Sequence, residues 1–132
     1  MDIQYRTNQP ITAEAFAELC RSSGLRRPID DLARIQRMLD NANLMLTAWD
    51  GDLLIGFARS LTDYGFCCYM SDLAVRAEYQ RHGIGQELIR RTKQHVGGQC
   101  MLLLLSAPEA TAYYPHIGFA KVENGWIIVR EA

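Results

Sequence analysis

The feature that most constrains the fold is a run of three segments between residues 66 and 106. FCCYMSDLAV (66–75) has the composition of a strand, a polar loop with two glycines follows, and residues 86–96 have the apolar spacing of a helix. MLLLLS (101–106) is apolar throughout, which is typical of a strand buried on both faces. The sequence therefore predicts a strand–helix–strand unit with two central, parallel strands and a right-handed crossover.

The rest of the chain adds helices and hairpins to this unit. Thr12 is a candidate N-cap of a helix that stops at Gly24, and Pro28 opens a second helical stretch with acids in its first turn. Asp50-Gly51 between two apolar runs indicates a tight hairpin with positive φ at both central positions. Three further elements are predicted: a strand at 3–6, a short helix within 108–118 and a closing hairpin, FAKV-ENG-WIIVR, at 119–130. The expected fold is α+β (mixed α/β), with a sheet of six to seven strands and helices on its faces.

Length and charge limit the class of protein. The chain has 132 residues, which suits a single domain over 1–132, and its net charge is −1. A general nucleic-acid or anionic-membrane binder usually has a strong basic excess, so neither partner is expected. The N-terminus lacks the basic-then-apolar pattern of an export signal, and we expect a cytoplasmic protein.

Cysteine and histidine spacing gives no metal motif. The four cysteines lack a CxxC pair and the three histidines are scattered, so no metal site is predicted. In a reducing compartment the cysteines are expected to act as small apolar residues. Whether Cys67 or Cys68 has a further role stays open.

The loop before the predicted helix has the features of an anion site. Gly83 and Gly85 free the backbone to approach a ligand, and the first N–H groups of a helix have no partner within it. Phosphate suits such groups, although a plain glycine turn without a ligand is an alternative. A Rossmann loop is excluded because the third glycine would fall at Leu88, and a Walker loop because no GK[ST] follows.

Two motifs together resemble the GNAT superfamily of N-acetyltransferases. The family loop, Gln or Arg, two residues, Gly, one residue, then Gly or Ala, is matched in full by QRHGIG at 80–85. The later family pattern, an aromatic residue and Tyr followed after three residues by Gly-Phe, is matched by YYPHIGF at 113–119. The order of elements along the whole chain also fits. The resemblance implies a GNAT acetyltransferase domain with a mostly antiparallel sheet, whose central parallel pair of strands splays apart.

The resemblance also implies acetyl-CoA as cosubstrate and a set of residues that bind it. The strand backbone at Leu73 and Val75 would pair with the pantetheine arm, the Val75 N–H would polarise the thioester carbonyl, and the loop N–H groups would hold the pyrophosphate. The implied cofactor-binding residues are Leu73, Ala74, Val75, Gln80, Arg81, His82, Gly83, Ile84, Gly85, Gln86, Ser106 and Tyr113. The family often has an Asn after the strand at 101–106, where this sequence has Ser106, so the Asn contact is either absent or made by Ser106. Tyr113 is expected to have a packing role.

Two residues are candidates for the proton transfers. Tyr114 matches the family's acid, and a phenol with a pKa of about 10 can donate to a thiolate. Asp72 is a candidate base because some family members carry an acid there. The alternatives are that Asp72 is a surface or loop-capping residue and that a water chain replaces a dedicated base. Strand alternation places Asp72 with Met70 and Ala74 on one face.

The acceptor is not encoded in a motif. The short chain favours a small-molecule amine over a protein amine, and the resemblance leaves a homodimer through the closing strands open. A non-catalytic acyl-CoA sensor is the alternative from another class of protein. The presence of Tyr114 tells against it.

Overall fold

The structure is a computed structural model that describes residues 2–106 and 113–132. Its strands are β1 Ile3–Thr7, β2 Leu44–Asp50, β3 Leu53–Thr62, β4 Cys67–Val75 and β5 Met101–Leu103. Its helices are α1 Ala13–Ser23, α2 Leu32–Asn41, α3 Ile84–Val96 and the short α4 Tyr113–His116, with a 3₁₀ turn at Ala77–Tyr79. No helix within these described ranges is long and apolar enough to cross a membrane.

The five strands form one mixed sheet in the order β1-β2-β3-β4-β5. The first three pairs are antiparallel, and β4 and β5 are parallel, as the sequence predicts. The predicted count of six to seven strands is wrong for the described residues. Residues 104–106 lie outside β5, and 119–132 have no regular secondary structure, so the closing hairpin is absent.

The predicted position of β5 inside the sheet is also wrong. It is the last strand in the order, and its residues are half-buried or exposed because no described element covers its outer edge. Its continuous apolar run indicated burial on both faces, but the run does not specify which element provides the cover. The predicted helix at 108–118 lies partly outside the described residues.

Capping residues set the helix ends. The Thr12 side chain accepts a hydrogen bond from the Ala15 N–H at 3.0 Å, and Gly24 ends α1 in the left-handed region with φ 85°. Asp31 caps α2 by accepting a hydrogen bond from the Arg34 N–H at 3.0 Å. Helix α2 therefore begins later than predicted, and the acidic residues expected in its first turn precede the helix. The central residues of the hairpin turn are Gly51 and Asp52, not the predicted Asp50 and Gly51. Of these two only Gly51 has positive φ, which fits a type II′ turn and not the predicted turn with positive φ at both positions.

The sheet separates two apolar clusters. On one face, α3 packs on the sheet through Ile84, Leu88, Ile89 and Val96. On the other face, α1 and α2 pack through residues that include Phe16, whose ring stacks on Phe57 with centroids 4.4 Å apart. The two clusters hold β4 between layers.

A β-bulge in β4 changes which side chains face which layer. Met70 pairs with Ser60 and Asp72 pairs with Arg59, so Ser71 is an extra residue without a partner on β3. Met70 therefore belongs to the α3 cluster, while Ala74 belongs to the α1–α2 cluster. The alternation that placed Met70 on the same face as Asp72 and Ala74 is wrong because of this extra residue.

A buried charge network holds the bulge. The Asp72 side chain is fully buried, and its two carboxylate oxygens pair with the guanidinium groups of Arg27 and Arg59. Arg27 also donates to the Ser71 carbonyl at 2.7 Å, and Arg59 donates to the Ser71 hydroxyl at 3.1 Å and to the Met38 carbonyl at 3.2 Å. The network thus ties the bulge to the α1–α2 connection and to α2.

We expect Asp72→Asn to destabilise the fold by about 3 kcal/mol, because it leaves buried guanidinium charge without its counter-charge. Chemical denaturation measures this loss. The exposed Asp40→Asn is the matched control and should stay within about 0.5 kcal/mol. An Asp72→Asn variant as stable as the wild type would contradict a structural role for the network.

Candidate active site

The central feature of the site is the early end of the pairing between β4 and β5. The two parallel strands pair only at Cys67–Met101, Cys68–Leu102 and Tyr69–Leu103. β4 then continues for six more residues to Val75 without a described neighbour on that side. The described strands therefore leave a wedge between them beside the second half of β4.

Backbone groups of β4 point into this wedge. The Arg76 N–H donates to the Ile55 carbonyl on β3 at 2.7 Å. Because successive N–H groups of a strand point to opposite edges, those of Val75 and Leu73 point away from β3. Unpaired backbone groups of this kind form a ready template for an added strand or an amide-rich ligand.

The loop after β4 leads directly to a helix N-terminus. Arg81 and Gly83 have positive φ of 67° and 77°, and Gly83 is the N-cap of α3. No side chain caps this helix, and the N–H groups of Ile84, Gly85 and Gln86 have no acceptor in the part of the chain that the structure describes. A left-handed conformation at the non-glycine Arg81 is unusual, and such outliers cluster at functional sites. The loop and helix end have the form of an anion-binding concavity.

Three arginines near this loop already form ion pairs with glutamates and are less available to an anion. Arg90 and Arg91 both contact Glu87, at 2.7 and 2.6 Å, and these arginines hold the pKa of the Glu87 carboxyl well below its ordinary value. Arg76 forms a two-point pair with Glu18 at 2.6 Å. The backbone N–H groups at the start of α3 and the exposed Arg81 are thus the groups that could bind an anion here.

Gln80 has a structural contact that its motif did not reveal. Its side-chain amide donates to the Val75 carbonyl at 2.9 Å. This bond joins the loop to the strand end and satisfies the last carbonyl that faces the wedge. Gln80 therefore fixes the position of the loop, and the Val75 N–H remains the outward donor.

The two tyrosines lie in the short helix α4. Tyr114 is half-buried, packs against the α3 cluster together with Leu73, Val75 and Leu104, and meets the Phe119 ring edge-on at 5.4 Å. Burial, and secondarily the neighbouring Tyr113, raises the pKa of the Tyr114 phenol above its ordinary value. Tyr113 is more exposed and meets Tyr114 edge-on at 5.2 Å. Tyr114 thus shares one cluster with the β4 residues that border the wedge.

The other predicted residues are less well placed. Asp72 lies on the α1–α2 face with both carboxylate oxygens engaged, whereas a base must reach the proton that it removes. Ser106 is exposed beyond the end of β5, with no side-chain hydrogen bond among the described residues. No group of three or more His, Cys, Asp or Glu in residues 2–106 and 113–132 is arranged to hold a metal ion.

Two cavities lie outside the wedge. One, of about 380 Å³, lies beside α1 and the β2–β3 hairpin and includes Glu18, Trp49 and Arg76 in its lining. The other, of about 410 Å³, lies between the chain after β1 and α2. We place the candidate site in the wedge because the unpaired backbone groups converge there, and neither cavity contains them.

Comparison with known families defines the class of protein. The model of the acetyltransferase (GNAT) domain matches residues 12–126, most of the chain. The chain therefore belongs to the GNAT family of acetyltransferases, as the two motifs indicated.

Named relatives agree with this assignment. The chain is 26% identical over 131 residues to the uncharacterized N-acetyltransferase ycf52 of Pyropia yezoensis, covering 94% of this chain and 74% of the relative. It is 30% identical over 129 residues to an uncharacterized ycf52-like N-acetyltransferase of Prochlorococcus marinus, with 92% and 68% covered.

Solved structures share the fold. A probable acetyltransferase of unknown function from meticillin-resistant Staphylococcus aureus superposes with a TM-score of 0.83 at 22% identity, covering 98% of this chain and 99% of that one. The aminoglycoside N-acetyltransferase AAC(6')-Iy in complex with CoA gives a TM-score of 0.70 at 17% identity, covering 99% and 96%. At these identities the likeness establishes the fold.

Proposed function

We propose that this acetyltransferase moves the acetyl group of acetyl-CoA to the primary amine of a small molecule, and that residues 1–132 act as one domain in the cytoplasm. The observation that carries the proposal is the wedge between β4 and β5, which leads into the uncapped N-terminus of α3. An extended, amide-rich arm that ends in a pyrophosphate matches these two features in order.

The chain's own groups fit this cosubstrate. The backbone of Leu73 and Val75 offers hydrogen bonds along the open edge of β4, and a Cβ added at Gly83 would meet no atom within 4 Å, so the loop surface is open there. The N–H groups at the start of α3, with Arg81, would hold the pyrophosphate, and His82 lies exposed in the same loop. Acetyl-CoA supplies the activated thioester.

Polarisation of the thioester carbonyl is the role proposed for the Val75 N–H. The amine nitrogen first forms a bond to the carbonyl carbon, and the electron pair of the C=O bond moves to the oxygen, which becomes negatively charged. The C=O bond then re-forms as the carbon–sulfur bond breaks and CoA leaves as a thiolate. A backbone N–H fixed by the strand stabilises that charge without reorganising. The Gln80 contact to the Val75 carbonyl holds the adjoining Val75–Arg76 peptide in place.

Tyr114 is proposed to give its proton to the departing sulfur. Its raised pKa keeps the phenol protonated throughout the neutral range, so it holds a proton to give, while a thiol has an ordinary pKa of about 8.5. The half-buried setting of Tyr114 in the cluster that includes Val75 supports this role.

For Asp72 we propose a positioning role in place of the predicted base. Its carboxylate already binds two guanidinium groups, and these also bind Ser71. The network fixes the bulge that precedes Leu73, and with it the direction of the Val75 N–H. The amine proton then leaves through water, the alternative that the sequence left open.

A screen of amines tests the proposed reaction. Release of free CoA thiol is followed with a panel of small primary amines and, in parallel, with lysine-containing peptides. We expect turnover with at least one small amine. Turnover with peptides alone would favour a protein acceptor, and binding of acetyl-CoA without turnover on any amine would favour the sensor.

Tyr114→Phe should lower kcat by roughly a hundredfold or more, the range lost with a general acid, and leave the Kd for acetyl-CoA nearly unchanged. Tyr113→Phe is the matched control in the same helix and should keep kcat within about twofold of the wild type. Steady-state kinetics and calorimetry measure the two quantities. Intact kcat in Tyr114→Phe would transfer the acid role to water or to another residue.

Gly83→Val should weaken acetyl-CoA binding by roughly tenfold or more, because a branched side chain would crowd the pyrophosphate. Gly24→Val is the control: Gly24 has φ 85° and ψ 4°, against 77° and 8° at Gly83, and neither Cβ would clash. Both variants should lose similar stability from backbone strain. Equal affinities in the two variants would contradict the loop assignment.

A further inference from the structure

The loop between β4 and α3 is anchored firmly at its start. The Arg76 N–H donates to the Ile55 carbonyl of β3 at 2.7 Å. The Ala77 N–H donates to the Ser22 hydroxyl of α1 at 3.1 Å. Among the described residues, no backbone hydrogen bond of this kind holds residues 81–82, which lie closest to the proposed pyrophosphate site. Any further anchor for that part of the loop must come from the residues between.

Tyr79 provides such an anchor. Its phenol donates to a carboxylate oxygen of Asp50 at 2.5 Å, the length of a charge-assisted hydrogen bond. This bond raises the pKa of the Tyr79 phenol above its ordinary value, so the phenol stays a donor at neutral pH. The ring is half-buried and packs on the α3 cluster. Gln80 connects the loop back to β4, whereas Tyr79 connects it to a different strand.

Asp50 is itself held in the sheet. It is the last residue of β2, where it pairs with Ile3 of β1 and with Leu53 of β3. The hairpin turn begins only at the next residue, Gly51, with φ 60°. Because strands on both sides fix the Asp50 backbone, its carboxylate is a firm attachment point for a loop that lies outside the sheet.

The backbone directly after this anchor is strained. Arg81 lies in the left-handed region with φ 67°, a conformation that costs a non-glycine residue free energy and persists where the surroundings enforce it. The Tyr79 bond lies two residues before Arg81, and Gly83 caps α3 two residues after it. The anchor is therefore placed to hold the path of the chain into the first N–H groups of α3.

We propose that the Asp50–Tyr79 hydrogen bond positions this loop for the pyrophosphate, and that the two residues set the affinity for acetyl-CoA without taking part in acetyl transfer. The inference rests on the proposed function. The groups proposed to act on the thioester, the Val75 N–H and Tyr114, have contacts of their own with Gln80 and with an aromatic ring. Loss of the Asp50–Tyr79 bond should thus weaken binding of the cosubstrate and spare the chemical step.

Tyr79→Phe keeps the ring and removes the hydroxyl. We expect calorimetry to give a Kd for acetyl-CoA that is raised roughly fivefold or more, while kcat at saturating cosubstrate stays within about twofold. Tyr64→Phe is the matched control, because the Tyr64 hydroxyl also donates a hydrogen bond, to the Asn43 carbonyl at 3.3 Å, and it should leave both quantities unchanged. Equal affinity in the wild type and Tyr79→Phe would overturn this inference alone. A wild type that does not bind acetyl-CoA would overturn the proposed function as well.

Changes at Asp50 test whether the two residues act as a pair. Asp50→Ala should weaken acetyl-CoA binding by the same factor as Tyr79→Phe, and the double variant should bind no more weakly than either single variant. Asp50→Asn keeps an acceptor oxygen and should recover part of the affinity. Losses that multiply in the double variant would contradict the pairing.

Pantetheine, the arm without phosphates, separates loop positioning from a general disturbance of the site. Followed through the ¹⁵N amide resonances, it should bind the wild type and Tyr79→Phe with Kd values that agree within about twofold, because it does not reach the pyrophosphate loop. If Tyr79→Phe loses affinity for pantetheine and for acetyl-CoA by the same factor, the damage extends to the wedge and the inference is wrong.

Discussion

The early end of the β4–β5 ladder is the constraint on which the site depends. Three residue pairs hold the two parallel strands together, and beyond Tyr69 the backbone of β4 has no strand partner on that side among the described residues. Backbone groups in a protein interior need partners, and here a ligand would provide them at Leu73 and Val75. The wedge ends where β4 runs into the loop at 80–83. The proposed groove for the pantetheine arm of acetyl-CoA and the concavity for its pyrophosphate are therefore adjacent.

Contacts on both faces of the sheet stabilise the geometry of the wedge. The Arg27–Asp72–Arg59 network secures the bulge at Ser71 on one face, and α3 packs on the other. The Gln80 side chain then connects the loop to the last residue of β4. Tyr114 packs into the cluster that includes Leu73 and Val75, which joins the proposed acid to the strand that carries the proposed carbonyl donor.

Local signals predicted the elements around the wedge well, and tertiary features were missed. Thr12, Gly24 and Gly83 act within a few residues, so the ends of α1 and the approximate start of α3 could be predicted, although α3 begins at Ile84 instead of residue 86 and includes Gly85. The bulge at Ser71 arises from pairing with β3, and without it Asp72 was placed on the same face as Met70. The position of β5 at an edge and the lack of strand structure in residues 119–132 depend on what packs against these segments, which an apolar run does not specify. The loop motif similarly indicated that Gln80 contacts a ligand. Its hydrogen bond to the Val75 carbonyl depends on how the loop folds back on β4, which the motif does not specify.

Backbone amide resonances of the ¹⁵N-labelled chain, followed as acetyl-CoA is added, test the central claim most directly. The wedge predicts that the largest shifts, and new protection from hydrogen exchange, occur at Leu73, Val75 and the N–H groups of residues 81–86. The two cavities beside α1 and α2 should change little. Saturable binding whose shifts map to those cavities, with the β4 and α3 amides unchanged, would contradict the account.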